Sequence, residues 1–197
     1  KFKKVIGYDI NKKRIVGLKK NIDFNKEFSK KTLLNFKNKI SFTNHQNNLE
    51  NSDIFILCIP TPINNKKLPE LSELKKACKL VSKYLKNGNL VIIESTVYPG
   101  CTEKILKPIL SSNTDKFYLG ISPERINPGD KKHTIENIIK ITSGVDNFSK
   151  KLTKRFYEKI IKKKLIKSVS QISIAEMAKL LENSQRDINI AFMNEIL

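Results

Sequence analysis

The chain has 197 residues, 39% of them hydrophobic, and carries 38 lysines and arginines against 19 acids, a formal charge of +19. That length is enough for one domain or slightly more around a stable core; no run of eighteen apolar residues appears and the basic start leads into a strand-like segment rather than a signal peptide, so no membrane partner is expected and the cytoplasm is the expected compartment. Cys58, Cys78 and Cys101 lack C-x-x-C spacing and only His45 and His133 could join them, which excludes a disulfide framework and a metal site.

The positive charge invites a nucleic-acid reading. Against it, arginine is confined to Arg14, Arg125, Arg155 and Arg186, whereas base and phosphate readers favour its bidentate fork, and the lysines are spread over nearly every predicted helix. Lys, Asn and Ile are abundant together, the mark of AT-rich coding. With neither a helix-turn-helix nor an aromatic-studded RNA motif, no nucleic-acid partner is expected, although acidic phosphorylated ligands would be attracted.

In chain order, Lys4 to Ile10 reads as a short buried strand ending in an acid, and Asn11 caps the helix that follows, with Ile15 and Leu18 inward. Asp9 stands where a dinucleotide-binding unit places the acceptor for the adenosine ribose; a turn aspartate capping a helix is the plain alternative. The stretch from Asn21 to Asn48 is polar and partly helical, with a strand over Ile40 to Thr43. Asp53 to Pro60, DIFILCIP, is a continuous apolar run that predicts a strand buried on both faces, broken at Thr61-Pro62. Leu71 to Leu85 is an amphipathic helix with Leu74, Cys78, Val81 and Leu85 inside, and Leu90 to Glu94 is the next strand, with Ser95 to Gly100 the loop at its tip.

A helix is expected over Thr102 to Leu110. Cys101 opens it, either as a thiol activated by the helix N-terminus or as a small residue that fits there, and no histidine or acid is spaced to activate it. Strands follow over Phe117 to Ile121, Ile138 to Ile141 and Leu165 to Val169, with a basic helix over Phe148 to Ile161; the loop Ser122 to Asp130 carries SPERINPGD, and His133 beyond it reads as structural. Strand and helix alternate throughout, so the class is α/β with a mainly parallel sheet. In the closing stretch, SIAEMAKLLENSQRDINIAFMNEIL, Ser173 and Glu176 have capping-box spacing. Ile174, Met177, Ala178, Leu181, Ile188, Phe192 and Ile196 define a stripe expected to be buried, and Lys179 and Asn183 stand four apart on a second, polar stripe with Glu176, Arg186 and Asp187.

CIPTPIN, ESTVYPGCTE, YLGISPERINPGDKKHT, KITSG and AEMAKLLENSQRDINIAFMNE, in that order, resemble the UDP-glucose/GDP-mannose dehydrogenase family, and more narrowly its branch of Vi-antigen type, which oxidises UDP-N-acetylhexosamines for surface polysaccharides. The resemblance covers essentially the whole chain. It implies a Rossmann-like domain over 1–170 and the start of a central interdomain and dimerisation helix over 171–197. It also implies oxidation of a sugar C6 alcohol to a carboxylate with two NAD⁺. Asp9 would hold the adenosine ribose, with Arg14 near that end of the cofactor, and Thr61 and Thr96 would lie against the nicotinamide half. Thr96 would also order a water, Glu124 would act in proton transfer or water activation, and Lys179 and Asn183 would bind the C6 oxygen and stabilise its developing charge. Arg125 and Arg186 would contact the diphosphate or the acetamido sugar. Each has an ordinary reading too: turn threonines, a solvated loop acid, a lysine lying along its helix.

The family's first strand, its glycine-rich pyrophosphate turn, its GGHC-type nucleophilic cysteine and its C-terminal UDP-binding domain have no counterpart in these residues. The expectation is therefore a fragment of a longer, dimeric or larger enzyme, inactive alone. The alternatives are a UDP-glucose 6-dehydrogenase, another β-hydroxyacid-type dehydrogenase, a basic nucleic-acid-binding domain and an inactive remnant that keeps a dimer contact.

Overall fold

The structure, a computed structural model, describes residues 2–125 and 137–197. His133 and the second half of the SPERINPGD loop lie outside the described residues. The fold is α/β, and the chain divides into two compact units, one reaching Ser52 and one running from Asp53 onward.

In the first unit, Val5–Tyr8 (β1) and Ile40–Thr43 (β2) pair in parallel, Val5 opposite Ile40 and Tyr8 opposite Thr43. Lys12–Lys19 (α1) begins where the Asn11 side chain accepts from the Arg14 N–H at 3.1 Å, as its sequence predicts. Lys30–Phe36 (α2) begins in the same way at Ser29. Ile15, Leu33 and Leu49 are the buried apolar residues of this unit. The expectation of a buried first strand is not met: Val5 is exposed and the rest of β1 only half-buried, because its sheet has a single partner strand.

The second unit is a five-stranded sheet in the order Ile54–Leu57 (β3), Leu90–Ile93 (β4), Tyr118–Ile121 (β5), Lys140–Gly144 (β6), Ile166–Ser168 (β7). All neighbours are parallel except β5 and β6, so the sheet is mainly parallel as expected. The interior strand β4 is buried at every position. Its neighbour β3 corrects the two-faced prediction: Phe55 and Leu57 point into the core, but Ile56 is 42% exposed, because β3 is the edge of its sheet. Ser72–Ser82 (α3) packs through Leu74, Cys78 and Val81, the stripe read from the sequence. The single helix expected over Thr102 to Leu110 is instead a wide π-type turn, Thr102–Leu106, passing into Lys107–Leu110 (α4), with Pro108 near the junction. Proline lacks the N–H that a regular ladder uses there.

Asn147–Glu158 (α5) lies so close to the sheet that a Cβ on Gly120 would strike the Thr153 side chain and one on Gly144 would strike the backbone of Lys150. Phe156 and Tyr157 of α5 join Leu90, Ile92, Ile161 and Ile166 in one apolar cluster. The last element, Ile172–Ile196 (α6), inverts its sequence reading. The apolar stripe expected to be buried is exposed at Ile174, Met177, Leu181, Ile188, Phe192 and Ile196, while Ile172, Ala175 and Glu176 are fully buried and Lys179, Glu182 and Arg186 half-buried. Beyond Ile172 and Ala175 the inward face is thus the polar one. The capping box also fails, since Gln171 is the N-cap without a side-chain bond and Glu176 is engaged elsewhere.

Candidate functional site

The carboxyl ends of β3, β4 and β5 lie side by side and are joined by side chains once the backbone ladder stops. Ser95 Oγ accepts from the Ile59 N–H at 2.8 Å and donates to the Leu57 carbonyl at 3.3 Å. The Thr61 hydroxyl donates to the Thr96 carbonyl at 2.6 Å, which brings the two predicted nicotinamide-side threonines together. At the tip of β5, the Glu124 N–H donates to the Glu94 carbonyl at 3.1 Å, and the Glu124 carboxylate accepts from the Arg125 N–H at 2.8 Å.

Helix α6 runs against these tips and is fastened at two points. Fully buried Glu176 accepts from the Gly100 N–H at 2.6 Å and the Thr102 N–H at 2.9 Å, so a carboxylate from α6 caps the turn that ends the Thr96 loop. Further along, Arg125 donates through Nε and Nη2 to both oxygens of Glu182, at 3.0 and 2.8 Å, and through Nη1 to the Ile139 carbonyl at 2.7 Å. Three of its five donors therefore serve the fold, and Arg125 acts as a clasp between its loop and α6.

Between those fastenings lies Lys179. Burial pushes its pKa below the usual lysine value, with Arg186 and Arg125 adding to that push and the carboxylates of Glu182 and Glu124 opposing it. The helix thus turns one half-desolvated cation towards a loop that carries an acid. Asn183, one turn on, is exposed. Asp9 and Arg14 belong to the first unit, where Asp9 accepts from the Asn11 N–H at 2.8 Å and faces Arg14 at 3.6 Å.

Arg125 holds the Glu182 carboxyl below the usual glutamate range, by its hydrogen bond first and against the opposing effect of burial. A carboxyl with a depressed folded pKa adds stability above its unfolded value and loses it as pH falls through the folded one. Glu182→Gln is therefore expected to cost about 2 kcal/mol at neutral pH and to flatten the loss of stability below pH ~4.5, in urea melts run across that range.

Two groups escaped the sequence reading. The sequence puts Glu176 both in a cap of its own helix and on the polar stripe beside Lys179; only the second holds, and the bonds it makes to the Gly100 and Thr102 amides are not foreseen. The other is a buried cluster: Lys140 on β6 lies 3.1 Å from the Glu94 carboxylate at the end of β4, and the Tyr157 hydroxyl donates to the same oxygen. A charged residue at one end of each of two apolar strands, the glutamate after LVII and the lysine that opens KITSG, is the available signal.

No cysteine here is activated. Burial and then Glu176 push Cys101 up to about 11, burial and then Cys101 push Cys78 to about 12, and desolvation of the sulfur and then Glu94 push Cys58 to about 12. The small-residue reading of Cys101 prevails, since it is fully buried. Among the described residues no helix is long and apolar enough to cross a membrane.

Residues 1–161 match the family model described as UDP-glucose/GDP-mannose dehydrogenase family, NAD binding domain. The chain is 45% identical to a UDP-N-acetyl-D-glucosamine 6-dehydrogenase of Salmonella typhi, over 100% of the chain and 47% of that protein. It is 43% identical to one of Pseudomonas aeruginosa, over 98% of the chain and 46% of that protein. Among solved structures, a UDP-D-ManNAc dehydrogenase of Pyrococcus horikoshii matches with a TM-score of 0.85 at 33% identity, over 97% of this chain and 47% of that one. The chain spans about half the length of the curated relatives it matches.

Proposed function

Because the chain belongs to the UDP-glucose/GDP-mannose dehydrogenase family and matches its NAD-binding domain, we propose that it forms the cofactor half of a cytoplasmic enzyme making surface polysaccharide precursors. That enzyme oxidises the C6 alcohol of a UDP-N-acetylhexosamine to a carboxylate with two NAD⁺. The observation that carries this reading is the inverted helix: α6 turns its polar face, not its apolar one, onto the strand tips, with Lys179 among Glu124, Arg125 and Glu182.

The residues at hand fit the cofactor. The Thr61 hydroxyl spends its proton on the Thr96 carbonyl, so towards a ligand it offers lone pairs and suits an amide N–H such as that of a nicotinamide carboxamide. Asp9, an acceptor at the end of a parallel strand, suits ribose hydroxyls, and Arg14 beside it balances its charge. Bound NAD⁺ supplies the hydride acceptor.

The remaining chemistry falls to the chain. Lys179 and Asn183 hold the C6 oxygen and stabilise the alkoxide-like charge left on it as its proton is lost, the charge that collapses into the carbonyl when the carbon gives hydride to NAD⁺, a role suited to one fixed cation and one neutral donor on a rigid helix. Half-burial strengthens that cation, because water screens it less. Glu124 takes or delivers a proton when water adds in the second oxidation, and Thr96 orients that water. Arg125 works through its clasp on Glu182, which holds the acid's loop against the cation's helix, and Arg186 contributes positive charge towards a diphosphate. The exposed apolar stripe of α6 supports pairing with a second copy.

The protein that carries this chain, given UDP-N-acetylglucosamine, is expected to release two NADH per sugar and to sediment at the mass of two copies or more. One NADH per sugar would overturn the four-electron reading. A monomeric mass would remove the pairing alone.

A further inference from the structure

We propose that Lys140 is a positioning residue for the same reaction: its buried ammonium holds the carbonyl of Pro123 and so fixes the loop from which Glu124 reaches the substrate. The inference rests on the role given above to Glu124.

The side chain of Lys140 is 1% exposed. It meets the Glu94 carboxylate at 3.1 Å, lies 5.0 Å from the centre of the Tyr157 ring, and donates to the Pro123 carbonyl at 3.4 Å. The Glu94 carboxylate is answered on every side: one oxygen takes Lys140 and the Tyr157 hydroxyl, and the other takes the Cys58 thiol at 3.6 Å. Four elements thus converge on one buried ion pair: β4 and β6, helix α5, and the residue that follows β3.

A buried ion pair is a poor source of net stability, since desolvation of both charges offsets their attraction, and well-packed apolar residues of the same volume usually serve as well. What an apolar filling lacks is a donor, and a donor is what the adjoining loop needs. Paired residues of β5 and β6 end at Ile121 opposite Ser143. Beyond that point Ser122 Oγ donates to the Ile141 carbonyl at 2.7 Å, the Pro123 carbonyl accepts from Lys140, and the Glu124 N–H donates to the Glu94 carbonyl. Pro123 has no N–H, so its carbonyl is its one polar anchor. Lys140 and Glu94 hold the two residues on which the direction of the Glu124 side chain depends.

The test uses the protein that carries this chain with Lys140→Met and Glu94→Gln together, so that neither charge is left buried alone. Exchange of the Glu124 amide is expected to speed up at least about tenfold while the amides of Val91 and Leu119 keep their protection. The kcat is expected to fall between about tenfold and a hundredfold, with KM for NAD⁺ within about twofold, the pattern of a displaced reacting group. Tyr157→Phe removes a donor to Glu94 but leaves the Pro123 anchor, and is expected to keep kcat near the parent value. Unchanged exchange at Glu124, an unchanged kcat in the double variant, or an equal loss of kcat in Tyr157→Phe overturns the proposal. A parent protein that oxidises no UDP-sugar would instead overturn the proposed activity, and amide exchange alone would then decide whether Lys140 holds the loop.

Discussion

Glu176→Ala is expected to lower the unfolding free energy by about 3 to 5 kcal/mol, a large part of the stability of an ordinary domain. The carboxylate is fully buried and accepts two backbone N–H groups, those of Gly100 and Thr102. Alanine leaves the buried Thr102 donor and the half-buried Gly100 donor without a partner, at about 1 to 3 kcal/mol each, and removes the cap of the π-type turn as well. Glu176→Gln keeps one acceptor oxygen but turns an NH₂ towards the other donor, so about half the loss is expected. Urea unfolding followed by circular dichroism reads both as a lower midpoint at constant slope. A loss under about 1 kcal/mol in the alanine variant would mean that apolar packing, not the cap, fixes α6 to the Thr96 loop.

Lys179→Ala is expected to reduce kcat by about a hundredfold to a thousandfold in the protein that carries this chain, with NAD⁺ affinity within about twofold. The two readouts separate because the ammonium is assigned to the alkoxide-like charge of the reacting C6 oxygen, whereas the cofactor is assigned to Asp9, Thr61 and Thr96. Asn183→Ala should cost less, about tenfold, since a neutral donor contributes roughly half as much as a charged one. Steady-state kinetics with a UDP-sugar and calorimetric titration of NAD⁺ check both variants. A raised KM with kcat intact would move Lys179 from stabilising the reaction to holding the substrate.

Much of this architecture was legible because local pattern determined it. The helical period of Leu74, Cys78 and Val81, the Asn11 cap and the apolar run of β4 each needed no information from elsewhere in the chain. The residues expected at the strand tips could be named from motif order, and the structure brings Thr61 to Thr96 and Lys179 to the neighbourhood of Glu124.

The misreadings share one physical cause. Periodicity finds the stripes of a helix but does not say which stripe meets the protein. At α6 the neighbour is a row of polar loop ends that offer amide and guanidinium donors, which favours carboxylates over leucine. Likewise, whether β3 is an edge strand is a property of sheet order, absent from DIFILCIP itself. Glu94 and Lys140 were invisible as a pair because their strands are brought to one site only by the antiparallel β6 beside β5.

The exposed stripe of α6 has a consequence for the helix itself. Past Glu176 no residue of α6 is fully buried, so its outer turns rest on backbone hydrogen bonds and local propensity, and a helix of that kind in water is in balance with coil. Any surface that covers Ile188, Phe192 and Ile196 removes apolar area from water and shifts that balance in the same event. Association and helix formation then form one linked equilibrium: part of the contact free energy is absorbed in ordering the chain, and the helical content of these turns rises with protein concentration.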